Sequence, residues 1–506
     1  MTPILAEQLD DPSFKDGFEE YCSGKIASAQ LDQQRFKAEG DLRMVGLAAM
    51  WQRSYGKSLL QFRNRWNRSI NSGWKEMADS GAVELITCGA THGYFPLIES
   101  DVCVKAQVDL AVQTHTNRFG SKPKGIWLPE CAYRPRYVWK APIDDGRPVE
   151  RKAVDEILAE AGLEFFFVDS HMIRGGQPLG TYWQSFPQLA EMFARTRNMF
   201  TPPAEFRSEY EPYQVRTGLT VFARDPQTTV KVWSGEAGYP GDEHYLEFHK
   251  QLYPGRHRYW RISQNKADLG AKAPYDPWVA FDKIHAHAKD LVGLVKSTLA
   301  TYKGQAGKTG TVVAMYDTEL FGHWWWEGPE FLYEFMVELH KDGQVEPMSG
   351  SDVLAKAPAT QVIDLPEGSW GEGGYHSVWL NEDNFWTWEK LYPIERSFLD
   401  LVDKRPQGLA HEITVQCGRE LLLAQASDWQ FLISTWAARD YAEARIQDHI
   451  DRFDRLEKMA EAALGGEELT HEDLRFLREC QEKDAPFPDL SLDTWRTSLS
   501  EAVPWH

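Results

Sequence analysis

The middle of this chain repeats one pattern, and that pattern limits the possible folds more than anything else. A short apolar, β-rich run stops abruptly in polar residues, and a helical stretch follows. Residues 83–88 lead into Ala90-Thr91-His92-Gly93-Tyr94, residues 125–128 into Pro129-Glu130, and residues 165–168 into Asp169-Ser170-His171. Further runs occupy 219–223, 230–233 and 311–316, the last closing on Asp317. Segments with apolar residues at helical spacing separate several of them, at 104–119, 154–161 and 281–302. Apolar strands followed by helices predict an α/β fold with a mostly parallel sheet, buried on both faces. If that sheet closes as a (β/α) barrel, its chemistry belongs at the C-terminal strand ends, where these polar bursts fall.

The flanks read differently. Residues 13–21 and 34–77 are rich in Lys, Glu, Gln, Arg and Ala with helical periodicity, and the chain is helical again from about 375 almost to its end. Thr470 followed by Asp473 is a capping box for a late helix. The segment 134–216 has few strand signals and many Pro, Gly and aromatic residues, as expected of an insertion over a barrel mouth. The predicted organisation is therefore a barrel in two parts, 1–133 and 217–350, an inserted lid at 134–216, and a helical C-terminal domain at 351–506.

Several partners are disfavoured. The formal charge of −20 repels phosphate backbones and anionic headgroups, which argues against nucleic acid and membrane surfaces. No apolar run approaches the ~20 residues of a membrane span. The start has no signal-peptide pattern, and the six cysteines have no C-x-x-C or zinc spacing, so a cytoplasmic, reduced protein is expected. Phosphate-cradling glycine loops and a G-x-S-x-G elbow are absent. Oligomeric state is not readable.

What remains is carboxylates among aromatic rings. Trp127-Leu128-Pro129-Glu130-Cys131-Ala132-Tyr133 delivers an acid from a strand end, and Met315-Tyr316-Asp317 delivers a second, shortly before Trp324-Trp325-Trp326. The chain holds 20 Trp, whose rings can stack on sugar C–H faces or simply fill a core. An isolated Glu after a strand is usually a cap or a solvated loop residue. Two acids at different strand ends suit glycoside chemistry, one attacking the anomeric carbon and the other moving the proton. A divalent-metal site built from Asp317, Glu319, His323, His92, Asp169 and His171 is the competing reading.

At these residues the chain resembles glycoside hydrolase family 57, and more narrowly its 1,4-α-glucan branching enzymes. The similar blocks are Ala90–Tyr94, Trp127–Glu130, Phe167–His171, Tyr316–Trp325 and Gly368-Ser369-Trp370-Gly371, in that order along nearly the whole chain. The resemblance implies a seven-stranded (β/α) barrel with a lid and a helical C-terminal domain. It also implies retaining transglycosylation of α-1,4-glucans such as amylose, glycogen or starch, without metal or other cofactor. Carried over by position, Glu130 matches the nucleophile and Asp317 the general acid/base. His92, Trp233, Trp370, Trp379 and Asp428 match glucan-contacting residues. Tyr182 resembles the tip of a loop that shields the intermediate from water. A 4-α-glucanotransferase or an α-amylase of the same family is the near alternative.

One departure stands out. Relatives begin with a strand ending in a His-x-His-type block, then a helix and a second strand, whereas this chain starts at Met1-Thr2-Pro3-Ile4-Leu5. The expectation is an incomplete barrel, lacking its first strands, with an open edge beside 83–88 or 311–316. Poor solubility, or glucan binding without turnover, would follow from such a gap.

Overall fold

The computed structural model describes residues 1–143, 148–175, 207–264 and 268–496. Its sheet has four strands in the order β1-β4-β6-β5, where β1 is Gly125–Ile126, β4 Phe165–Val168, β5 Tyr213–Gln214 and β6 Thr220–Ala223. The β1–β4 and β4–β6 pairs are parallel, with Gly125 opposite Phe165 and Phe165 opposite Thr220. The β5–β6 pair is antiparallel, and β2 (Tyr137–Trp139) pairs with β3 (Val149–Arg151) in a separate ribbon. The fold is thus mixed α/β, mostly helical, around a small, largely parallel sheet.

Local chemistry explains the strands that differ from expectation. Residues 230–233 are not a strand; they end a helix, Pro226–Trp233. Their β-branched composition favours a strand, but Asp225 accepts the Thr228 N–H at 2.6 Å and Pro226 occupies the first turn, and this start signal prevails. Residues 311–316 form no ladder. They touch the sheet region through Val313, whose carbonyl accepts the Asp225 N–H, and through the Thr311 N–H given to Tyr210. From 83–88, Thr87 alone bridges to Ile126, in parallel. The other side of that segment meets the chain's first residues: the Met1 ammonium donates to the Ile86 carbonyl at 2.6 Å and the Ile4 N–H to Ala90 at 3.0 Å. Strand β4 lies within 134–216, so that segment contributes to the sheet as well as to connections.

Helices surround the sheet as expected, with Asp101–Phe119 and Val154–Glu160 packed on each other. The C-terminal helices Phe385–Asp403, Gly408–Ala424 and Arg439–Leu464 pack through Phe398, Ile413, Leu421, Ile446 and Phe453, and their core is continuous with that of the sheet. A second core joins the early helices Pro12–Glu39 and Leu42–Leu60 to Pro277–Ala306 and Gly328–Asp342 through Phe36, Trp51, Tyr259, Ile284 and Phe331. Much of the Trp triplet belongs to this core. Trp325 is buried and Trp326 lies 4.5 Å from Trp51, while Trp324 is exposed and rests on Phe248. Filling a core thus accounts for two of these three rings. Among the described residues no helix is long and apolar enough to cross a membrane.

Candidate active site

Strand β1 ends at Ile126, and Pro129 turns the chain so that Glu130 and Cys131 both take left-handed backbone angles, φ 60° and 52°. His92, at the end of the neighbouring segment, is left-handed as well, at φ 61°. Each such non-glycine residue costs about 1–3 kcal/mol, and three together mark a place where geometry is held against local preference. The restraint on Glu130 comes from the glycine-rich loop. Tyr133 and Gly368 exchange backbone hydrogen bonds, the Trp370 N–H donates to the Glu130 carbonyl at 3.1 Å, and Trp370 Nε1 donates to Glu130 Oε2 at 2.8 Å. Gly371 is required there because a Cβ would meet the Trp379 ring at 2.5 Å.

The other carboxylate oxygen faces the helical domain. The buried Ser427 hydroxyl donates to Glu130 Oε1 at 3.3 Å and lies 2.8 Å from His92 Nδ1, while the Ser427 N–H donates to the His92 carbonyl. Asp428, next in the chain and exposed, reaches His92 Nδ1 at 3.8 Å. Burial by itself would lower the His92 pKa, but Cys88, Asp428 and Glu130 outweigh it and raise it to about 10, so the ring carries a proton.

The two acids have different environments. Burial pushes Asp317 up to about 7, the Glu130 and Glu319 charges add to the rise, and His92 and Arg224 oppose it. Burial raises Glu130 too, yet the His92 cation, the Trp370 N–H and the Ser427 hydroxyl all favour its carboxylate form. Both acids are therefore held above their ordinary values, and only Glu130 accepts hydrogen bonds from Trp370 and Ser427 that favour its charged form. Beneath them a buried ion pair joins the ends of β4 and β6. Arg224 donates to Asp169 at 2.6 Å, and its guanidinium lies 5.3 Å from the Trp370 ring.

The sequence-expected residues thus divide. His92, Glu130, Asp317, Trp370 and Asp428 come together. Trp379 joins them indirectly, stacked at 4.5 Å on Tyr94, whose hydroxyl meets His376 and through it Glu367. Trp370 and Trp379 are both buried, Trp370 against Glu130 itself and Trp379 behind it against Tyr94. Trp233 is half-buried against the second core. Tyr182 lies outside the described residues. The residue that sequence reading missed is Ser427; its signal was only its place before Asp428. For the metal reading, the one trio of closely grouped ligand atoms among the described residues lies elsewhere, at Glu420, His449 and Asp484. There His449 Nδ1 and Glu420 are 2.8 Å apart and Arg452 holds Asp484, an ordinary buried polar network.

Residues 25–366 match the family model described as glycosyl hydrolase family 57. The chain belongs to glycosyl hydrolase family 57. Residues 390–495 match a second model, the C-terminal domain of 1,4-alpha-glucan branching enzymes. Among family 57 proteins, the chain is 37% identical over 490 residues to a 1,4-alpha-glucan branching enzyme of Thermococcus kodakarensis, covering 96% of this chain and 69% of that protein. The crystal structure of that enzyme, in complex with glucose and additives, superposes with a TM-score of 0.87 over 98% of this chain and 86% of that one, at 36% identity. A family 57 branching enzyme from Pyrococcus horikoshii gives 0.86 at 36% identity, covering 99% and 87%. The alpha-amylase AmyC of Thermotoga maritima gives 0.79 at 26% identity, covering 98% and 88%.

Proposed function

We infer that this protein is a 1,4-α-glucan branching enzyme, a retaining transglycosidase that cleaves α-1,4 bonds and makes α-1,6 branches in glycogen- or starch-like glucans. The observation that carries the reading is Ser427. The domain resembling branching-enzyme C-termini supplies the hydroxyl that holds Glu130 and His92, so it is part of the catalytic centre. On this reading Glu130 attacks the anomeric carbon while Asp317, protonated, gives its proton to the departing glycosidic oxygen. The glucan is then held as an ester on Glu130. Asp317, now ionised, takes the proton from a 6-hydroxyl of a second glucan; that oxygen bonds to the anomeric carbon and Glu130 leaves. Two displacements retain configuration and require the carboxyls ~5–5.5 Å apart.

The finer architecture is proposed on the same grounds. The parallel strands are read as part of a (β/α) barrel, with residues from 134–216 covering its mouth and Tyr182 excluding water from the ester. Replacing Tyr182 by Ala should raise the hydrolysed fraction. A cytoplasmic setting is supported by six free, buried cysteines. The test is incubation with amylose followed by proton NMR. New α-1,6 anomeric signals support branching, whereas reducing ends without α-1,6 linkages would move the reading to the amylase type seen in the Thermotoga maritima relative.

A further inference from the structure

The short helix Asp428–Thr435 begins at the catalytic cluster and ends in a left-handed C-cap. Its C-cap, Trp436, has φ 58°, a conformation that a bulky side chain rarely adopts, and its ring is 62% exposed. Core packing therefore does not hold the strained backbone in place. The Arg439 guanidinium lies 5.0 Å from the ring centroid and is itself fixed by Asp383 at 3.0 Å and Glu443 at 2.8 Å. Two residues before Trp436, the Ser434 hydroxyl donates to the Val378 carbonyl and accepts from Asn381, tying this helix end to the loop that carries Trp379. Both ends of the helix reach solvent, and at 1.5 Å per residue Asp428 and Trp436 are about 12 Å apart.

We propose that Trp436, backed by Arg439 and flanked by Asp383, is a second α-glucan-binding platform, engaging a distal part of a chain whose reacting bond lies at Glu130 and Asp317. This rests on the reading of the site as an α-glucan transferase. A sugar chain suits the surface better than a protein does. The apolar element is one ring, far less than a protein interface requires, and the groups around it are the carboxylates, amide and guanidinium that bond hydroxyls. At the other end of the same helix Asp428 is exposed beside His92, which puts the ring about 12 Å from the catalytic cluster. The left-handed C-cap turns the chain here and leaves most of the ring open to solvent.

The test replaces Trp436 by Asn, which removes the ring and tolerates the left-handed backbone, and separately by Phe, which keeps an aromatic face. Amylose binding is read by affinity electrophoresis, and KM by branching of amylose and of a short maltooligosaccharide. For Trp436→Asn the amylose dissociation constant should rise about tenfold, the amylose-to-oligosaccharide KM ratio should rise with it, and Tm should be equal or higher. Trp436→Phe should restore most of the affinity. An Asn variant that is folded and binds amylose like the parent overturns the platform. So does an equal loss for long and short substrates. A parent protein that shows Trp436-dependent amylose binding but forms no α-1,6 linkage supports the platform and refutes the branching reading alone.

Discussion

Replacing Asp317 by Asn should make the protein more stable at neutral pH while abolishing its turnover. The amide keeps the shape of the side chain and removes the titrating group. In the unfolded chain an Asp titrates near 3.9, whereas burial and the Glu130 charge raise the folded Asp317 to about 7. Between those values the folded protein keeps a proton that the unfolded chain has released. Stability is therefore lost as pH rises, at about 1.4 kcal/mol per pH unit. Three units would give about 4 kcal/mol, and contact of the partly exposed carboxyl with water reduces this to roughly 2–4 kcal/mol. The variant escapes that loss. The two proteins should have the same stability near pH 4, diverge through pH 5–7, and differ by a constant amount above pH 7.5, with the variant the more stable. For 506 residues the unfolding entropy is roughly 1 kcal/mol/K, so the plateau corresponds to roughly 2–4 °C in Tm. Calorimetric scans from pH 4 to 8.5 without glucan measure it. Parallel Tm–pH curves, or a less stable variant at pH 8, would refute the claim that Asp317 is held protonated against Glu130.

Three further outcomes are expected. Ser427→Ala removes one net hydrogen bond worth ~0.5–1.5 kcal/mol and loosens both Glu130 and His92, so kcat/KM should fall about tenfold with unchanged circular dichroism; an unaltered rate would remove Ser427 from the centre. Trp370→Phe deletes a donor to a carboxylate, worth ~1.5–3 kcal/mol, and raises the Glu130 pKa further, so the acid limb of the kcat/KM profile should move to higher pH; a profile lowered uniformly would point to lost packing instead. Asp169→Asn removes the carboxylate paired with the buried Arg224, and breaking such a pair costs about 3–5 kcal/mol, which should lower Tm by roughly 3–5 °C; the same Tm in both proteins would count against a buried pair.

Much of this was legible from residue order alone, where the relevant signal is local. Glu130 and Asp317 were marked by the apolar runs that precede them, and Phe165–Val168 and Thr220–Ala223 by β-branched and aromatic density. Residues 230–233 misled for the same reason. Composition spoke for a strand, and the decisive cap was Asp225, five residues upstream and outside the window. Residues 311–316 misled differently. Whether an apolar run joins a ladder depends on what lies beside it, and here that is Asp225 and Tyr210 rather than a continuous strand. Ser427 had no local signature, because its role exists only once Glu130 and His92 have been brought to it across the fold.

That last arrangement has a bearing on how the protein is made. Glu130 and Ser427 are separated by 297 residues, and His92 and Ser427 by 335. At a synthesis rate of about 5–20 residues per second, the ribosome has roughly 15–60 s of work left after Glu130 before Ser427 is added. For the first 187 residues of that stretch even Asp317 is missing, and to its end Glu130 lacks the hydroxyl that bonds it. The contact between Glu130 and the helical domain therefore forms only after that domain has been made and docked, so this cluster is assembled late.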